Sequence, residues 1–169
     1  MPESSESAQP DQYYFLKSGS LSSHGRILSL LENIGPAGHV LDVGTATGYL
    51  GAILHQRGFR HLTGIEWNLE RAAEARAFYE TVEQLDIEHD EFPWPPGSFD
   101  AIVCADVLEH VRAPEQVLQR LLPLIKPGGW LIVSMPNAAH WSMRMSLLCG
   151  RFDYVDNGIL DRDHLRFFT

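Results

Sequence analysis

Short apolar runs alternate with stretches of helical spacing along most of this chain. Between residues 21 and 34, apolar positions at Leu21, Ile27, Leu28, Leu30, Leu31 and Ile34 predict an amphipathic helix closed by Gly35-Pro36. The run 39–43 predicts a first strand, and YLGAIL after Gly48 begins a helix that continues to Arg57 and stops at Gly58. A second strand is expected over 61–66, and Asn68 is placed to cap a helix over NLERAAEARAFYE. A short third strand falls at 81–85. The prolines of EFPWPPGSFD exclude regular structure after it. Residues 100–105 are almost continuously apolar and predict a central fourth strand. Pro114 and Glu115 suit the first turn of a helix ending at Ile125. Lys126-Pro127-Gly128-Gly129 reads as a turn and WLIVSMP as a fifth strand. Beyond Asn137 the pattern gives one more helix and then an aromatic, charged loop.

Strands alternating with helices over this length predict an α/β fold: a Rossmann-like, doubly wound parallel sheet with helices on both faces. At 169 residues the chain is long enough for one domain burying roughly 70% of its unfolded surface. MPESSESAQP at the start is polar and rich in Ser, Glu and Pro, so residues 1–20 are expected as a flexible tail and 21–169 as the folded domain.

A net charge of −9 disfavours a nucleic-acid backbone as the main partner, because no basic stripe is available to displace counterions. Cys104 and Cys149 give neither a disulfide framework nor zinc spacing. No segment approaches a membrane span and no signal peptide is recognisable, which predicts a soluble, cytoplasmic protein.

The most informative stretch is VLDVGTATG, residues 40–48. An apolar run reaches Asp42, then turns through Gly44, Thr45, Ala46 and Thr47 to Gly48, where a helix starts. Such a turn brings bare backbone N–H groups and a helix N-terminus against a ligand. Glu66 ends the next strand, where an α/β nucleotide site holds ribose hydroxyls. Together these features point to an adenosine-type cofactor. Gly44, Glu66, Asp86 and Asp106 fall with Asp42 at the carboxyl ends of the strands, where ligands bind in such sheets.

These residues resemble the class I S-adenosylmethionine-dependent methyltransferases. DVGTATG stands where that family has its acidic-x-Gly-x-Gly-x-Gly loop. IEWN matches its acidic second strand, and QLDIE the segment whose Asp lies by the adenine amino group. FDAIVCADVLEHV and LLPLIKPGGWLIVSMPN follow as its fourth and fifth strands. The likeness runs from Val40 to Asn137, and DRDHLRFFT is similar to the ending of the family's small-molecule branch. Two departures stand out. Ala46 replaces the loop's middle glycine, adding a methyl near the cofactor's methionine end. The family's closing antiparallel strand pair has no counterpart, so the domain is expected to be C-terminally truncated.

The resemblance implies S-adenosylmethionine as cofactor and a small-molecule acceptor methylated at oxygen or nitrogen. It sets no oligomeric state. Asp42 is expected to reach the methionine ammonium directly or through water, with capping of the turn as the alternative. Gly44, Thr45, Ala46 and Gly48 would carry the amino-acid end past the turn. Glu66 would accept the ribose hydroxyls, and Trp67 would cover an adenine face. Asp86 and Ile87 would meet the adenine edge, and Ala105 and Asp106 would face the transferred methyl. His110 is the candidate general base, against a bland helix-capping role. Asp106, Glu109, His110 and His164 also resemble the E-x-x-E-H plus distal His set of metal-assisted methyltransferase branches, and suit magnesium or manganese. His140, Trp141, Met143, Met145, Tyr154 and Phe167 are candidates for the acceptor side, with Tyr13 and Tyr14 closing over it.

Two other readings compete. Ala46, Gly48 and Gly51 fit a loose dinucleotide fingerprint of an NAD(P)-dependent oxidoreductase, although its acid should lie about 20 residues beyond the loop. A non-catalytic cofactor-binding module acting through a partner is the second.

Overall fold

The computed structural model describes residues 22–169. The expected tail, Tyr13, Tyr14 and Leu21 lie outside the described residues. In chain order the elements are α1 (Ser23–Glu32), β1 (Val40–Val43), α2 (Tyr49–Gln56), β2 (Leu62–Ile65), α3 (Leu69–Ala75), β3 (Thr81–Glu83), β4 (Phe99–Ala105), α4 (Pro114–Leu121), β5 (Ile125–Ser134) and α5 (Trp141–Leu148). Short 3-10 turns cover Leu108–His110 and Leu122–Leu124.

The described sheet has strand order β3-β2-β1-β4-β5, and every pairing is parallel. The chain builds outward from β1 to β3, then crosses to β4 on the other side of β1. The crevice between β1 and β4 is therefore the place where strand order reverses. Alternation along the strands divides the core in two. Val40, Leu62, Val82 and Val103 pack with Ile27, Leu31, Leu50, Leu54 and Ala72 from α1, α2 and α3. Leu41, Val43, Ile65 and Ile102 pack with Val117 and Leu121 of α4 and with Leu124 on the opposite face. The doubly wound expectation holds, and β4 is interior, between β1 and β5.

Three boundaries differ from the sequence pattern. The third helix stops at Ala75 rather than continuing to residue 80, because the chain tightens through Ala77 N–H to Glu74 O and Phe78 N–H to Ala75 O and turns Tyr79 inward. The helix expected to reach Ile125 ends at Leu121. Pro123 lacks an N–H, the turn becomes 3-10, and Ile125 already pairs with Phe99. Residues 126–129 are not a turn between elements but a bulge inside β5, where pairing jumps from Phe99–Ile125 to Ala101–Trp130. Gly128 supplies the left-handed backbone there, at φ +81°. Among the described residues no antiparallel strand pair occurs, and no helix is long and apolar enough to cross a membrane.

Candidate cofactor and acceptor site

A cleft of about 440 Å³ opens at the carboxyl ends of β1, β2 and β4. The glycine turn forms one wall. Gly44 and Thr45 donate their N–H groups to the Ile65 carbonyl at 2.8 and 3.0 Å, which ties the turn to the end of β2. Gly44 (φ +77°) and Ala46 (φ +47°) both adopt left-handed backbone, and both line the cleft. Ala46 therefore pays the strain of a Cβ where glycine would not.

Glu66 is 4% exposed and yet borders the cleft. Its Oε2 accepts the Ala46 N–H at 2.9 Å, and its Oε1 accepts the Asn68 N–H at 3.0 Å. Asn68 in turn caps α3 through its Oδ1. One carboxylate thus joins the glycine turn to the start of α3, with lone pairs left for a ligand. Trp67 beside it is 70% exposed at the cleft rim.

Asp86, Ile87 and Glu88 form the facing wall. Asp86 accepts the Glu88 N–H at 2.8 Å and contacts His89 Nδ1 at 2.9 Å. Burial pushes its pKa up, but the His89 side chain and the neighbouring backbone N–H groups outweigh this and hold it below the ordinary value. Ala105 and Asp106 close the floor at the end of β4. Asp106 (φ +54°) accepts the Ser134 hydroxyl at 2.9 Å and donates its N–H to the Ser134 carbonyl at 3.0 Å. Val107 lies close enough that a Cβ on Gly44 would meet its Cγ2 at 2.6 Å.

Asp42, Thr45 and Gly48 do not line the cleft. They support the turn from beneath. Asp42 is 3% exposed and accepts a hydrogen bond from the Tyr79 hydroxyl. Burial pushes its pKa up to about 7, opposed by the Tyr79 bond and reinforced by the Glu66 charge. Thr45 accepts the Gly48 N–H at its carbonyl, and Gly48 (φ +91°) opens α2, where a Cβ would stand 2.9 Å from Ala75 Cα.

His110 also lines the cleft. Burial lowers its pKa, and neighbouring His164 lowers it further against the opposing Asp163 carbonyl. Burial thus favours the neutral imidazole. Side-chain donor atoms of Glu109, His110 and His164 lie within 4.8 Å of one another. His110 Nδ1 faces the Asp163 carbonyl and His164 Nδ1 the Ile159 carbonyl, both at 3.2 Å. Each contact suits a proton on Nδ1 and leaves Nε2 as a lone-pair donor. Asp106 does not join this group; its carboxylate bonds Ser134 instead.

The aromatic and methionine candidates are placed elsewhere. His140 caps α5, Met143 is buried, Trp141, Met145, Tyr154 and Phe167 are exposed, and none lines the cleft. Sequence reasoning missed Tyr79, Arg71, Val107 and Asp163. Asp163 carries the one available signal, since it precedes His164 in DRDH.

A glycine turn, a strand-end glutamate and a facing loop around the switch point of a parallel sheet define a Rossmann-like ligand site. The family profile described as "Methyltransferase domain" matches residues 22–169. The ubiquinone biosynthesis O-methyltransferase of Aeromonas salmonicida is 30% identical over 137 residues, 77% of this chain and 56% of that protein. The one from Chromobacterium violaceum is 34% identical over 104 residues, 58% of this chain and 44% of that protein. The chain thus spans about half the length of the curated relatives it matches. Among solved structures, the S-adenosylmethionine-dependent methyltransferase from Mesorhizobium loti has a TM-score of 0.60 at 20% identity, over 70% of this chain and 56% of that one. The YcgJ protein from Bacillus subtilis has a TM-score of 0.64 at 18% identity, over 87% and 62%. These two likenesses speak for the fold. The chain belongs to the class I S-adenosylmethionine-dependent methyltransferase family. These matches favour methyl transfer over the oxidoreductase reading.

Proposed function

We propose that this protein binds S-adenosylmethionine and transfers its methyl group to an oxygen of a small-molecule acceptor in the cytoplasm. The observation that carries the reading is Glu66, a buried carboxylate on the cleft that also holds the glycine turn. Glu66 would hold the ribose hydroxyls, Asp86 and Ile87 the adenine edge, and Gly44 and Ala46 the methionine end, with Ala105, Asp106 and His110 left to the side of methyl transfer. Transfer is an in-line displacement on an already activated methyl, so alignment supplies most of the acceleration, up to about 7–11 kcal/mol. A hydroxyl acceptor must lose its proton, and the neutral imidazole of His110 is available to take it. Oxygen is favoured over nitrogen because the matched relatives are named O-methyltransferases.

Calorimetry with S-adenosylhomocysteine tests the binding half. The wild type binds, and Glu66→Gln binds at least about tenfold more weakly, since an amide donor then faces backbone N–H donors. An intact sample giving no heat with either the donor or its demethylated product overturns the proposal. Binding without transfer to a broad panel of phenols and alcohols favours the non-catalytic module.

The grouping of Glu109, His110 and His164 supports a second reading of the acceptor end. One carboxylate and two imidazole nitrogens fit a divalent first-row ion, which would acidify an acceptor hydroxyl. In that case His110 is a ligand rather than the base. Cobalt added to chelator-treated protein should give a visible absorption band that His164→Ala loses. No band, together with full activity after chelation, returns the proton to His110.

A further inference from the structure

The wall assigned to the adenine edge, residues 84–90, belongs to neither a strand nor a long helix. It is held from behind by α4, none of whose residues lines the cleft. Arg120, in the last turn of α4, donates from Nη1 to the Ile87 carbonyl at 2.7 Å and from Nη2 to the Asp90 carbonyl. Its guanidinium lies over the Phe92 ring, 4.7 Å from the centroid. At the other end of the helix, Glu88 Oε1 accepts the N–H groups of Arg112 and Ala113 at 2.8 and 3.1 Å. Ala113 is the α4 N-cap, so Glu88 ties the loop to the chain as it enters the helix.

We infer that Arg120 and Glu88 are positioning residues that fix Asp86 and Ile87 against the purine edge and so set the preference for adenine. The inference rests on the cofactor reading above. Carbonyls on an exposed loop do not require a guanidinium, since water satisfies them equally well. A planar fork that takes two of them, three residues apart, fixes the curvature of the intervening backbone. Asp90 closes the same arc by accepting the Asp86 N–H at 2.8 Å. The loop is then ordered before the ligand arrives, and its ordering entropy is not subtracted from binding. Without Arg120, the loop still exists but no longer holds one position for the exocyclic group of the base.

The test compares S-adenosylhomocysteine with its 6-oxo analogue, S-inosylhomocysteine, by calorimetry. Arg120→Met keeps an aliphatic stem over Phe92 and removes both carbonyl bonds. It should weaken S-adenosylhomocysteine about tenfold, the scale of losing one to two charged hydrogen bonds. The inosine analogue should weaken less, so the ratio between the two falls. Arg120→Lys should restore part of that ratio, and Glu88→Ala, which removes the shared acceptor, should lower it. A folded Arg120→Met that binds S-adenosylhomocysteine within twofold of wild type overturns the inference, as does equal weakening of both ligands. If Arg120→Met does not fold, the Arg120→Lys and Glu88→Ala ratios decide by the same criterion. A wild type that binds neither ligand overturns the cofactor reading itself, whereas a wild type that binds and variants that keep the ratio overturn only the role of Arg120 and Glu88.

Discussion

Asp42 stands where a carboxylate is costly: under the glycine turn, almost fully buried, close to the charge of Glu66. The fold answers with Tyr79, whose hydroxyl donates to Asp42 and accepts the Gly51 N–H at 3.0 Å. Gly51 has no other reason to interrupt a helix. A Cβ there would meet the Tyr79 ring at 2.2 Å. Tyr79→Phe keeps the ring but leaves the Gly51 N–H and Asp42 without that hydroxyl, and should cost about 1–3 kcal/mol in urea unfolding. Asp42 also makes stability depend on pH. Its pKa is 3.8 in the unfolded chain and about 7 in the fold, so between those values the folded protein holds a proton that the unfolded chain releases. That contribution is full below pH 3.8 and is lost as pH rises through about 7. Unfolding free energy should therefore fall from pH 5.5 to 8 by up to about 1.4 kcal/mol per pH unit, relative to Asp42→Asn. Parallel pH profiles for the two proteins would show that Asp42 is ionised in the fold.

The elements around this pair meet through glycines whose roles differ. Gly48 combines left-handed backbone with contact against α3, and Gly128 has the same backbone in open space. Gly128→Ala should cost about 1–2 kcal/mol, the left-handed penalty alone. Gly48→Ala should cost clearly more, because Ala75 Cα is backbone and cannot swing away. Equal losses in thermal melts would mean that α2 and α3 shift freely. The glycine turn, the parallel order of strands and Glu66 were legible in the sequence because they are local: an apolar run, two glycines and a strand-end acid. The early end of α3 was not, because Tyr79 turns inward to a partner 37 residues back in the chain. The bulge in β5 was hidden by KPGG, which carries the same residues whether it joins two elements or kinks one. Nothing in the sequence pattern sets Arg120 and Glu88 apart from other charged residues. Only the fold brings each to its partners, 24 to 33 residues away in the chain. The acceptor-side aromatics do not line the cleft, since apolar spacing places α5 without saying which cavity it faces.

At the scale of the whole molecule, charge is not spread evenly with respect to function. The chain carries a net −9, and Glu66, Asp86, Glu88, Asp106 and Asp163 border the cleft against Arg71 and a neutral His110. The proposed donor bears a sulfonium cation, and its demethylated product does not. On the proposed function, low-dielectric walls would focus this negative field into the crevice and favour the cationic donor over its neutral product. Salt should expose the difference. The screening length shrinks from about 20 Å near 20 mM salt to about 6 Å near 300 mM, removing most of the pull from acids that do not touch the ligand. Across that range, affinity for S-adenosylmethionine should fall several-fold more than affinity for S-adenosylhomocysteine, because hydrogen bonds to Glu66 and to the turn serve both ligands alike. Equal salt slopes for the two would mean that the acids serve geometry and not electrostatics. The contrast would then have to come from the few groups beside the sulfur, which leaves Asp106 as the residue to change next.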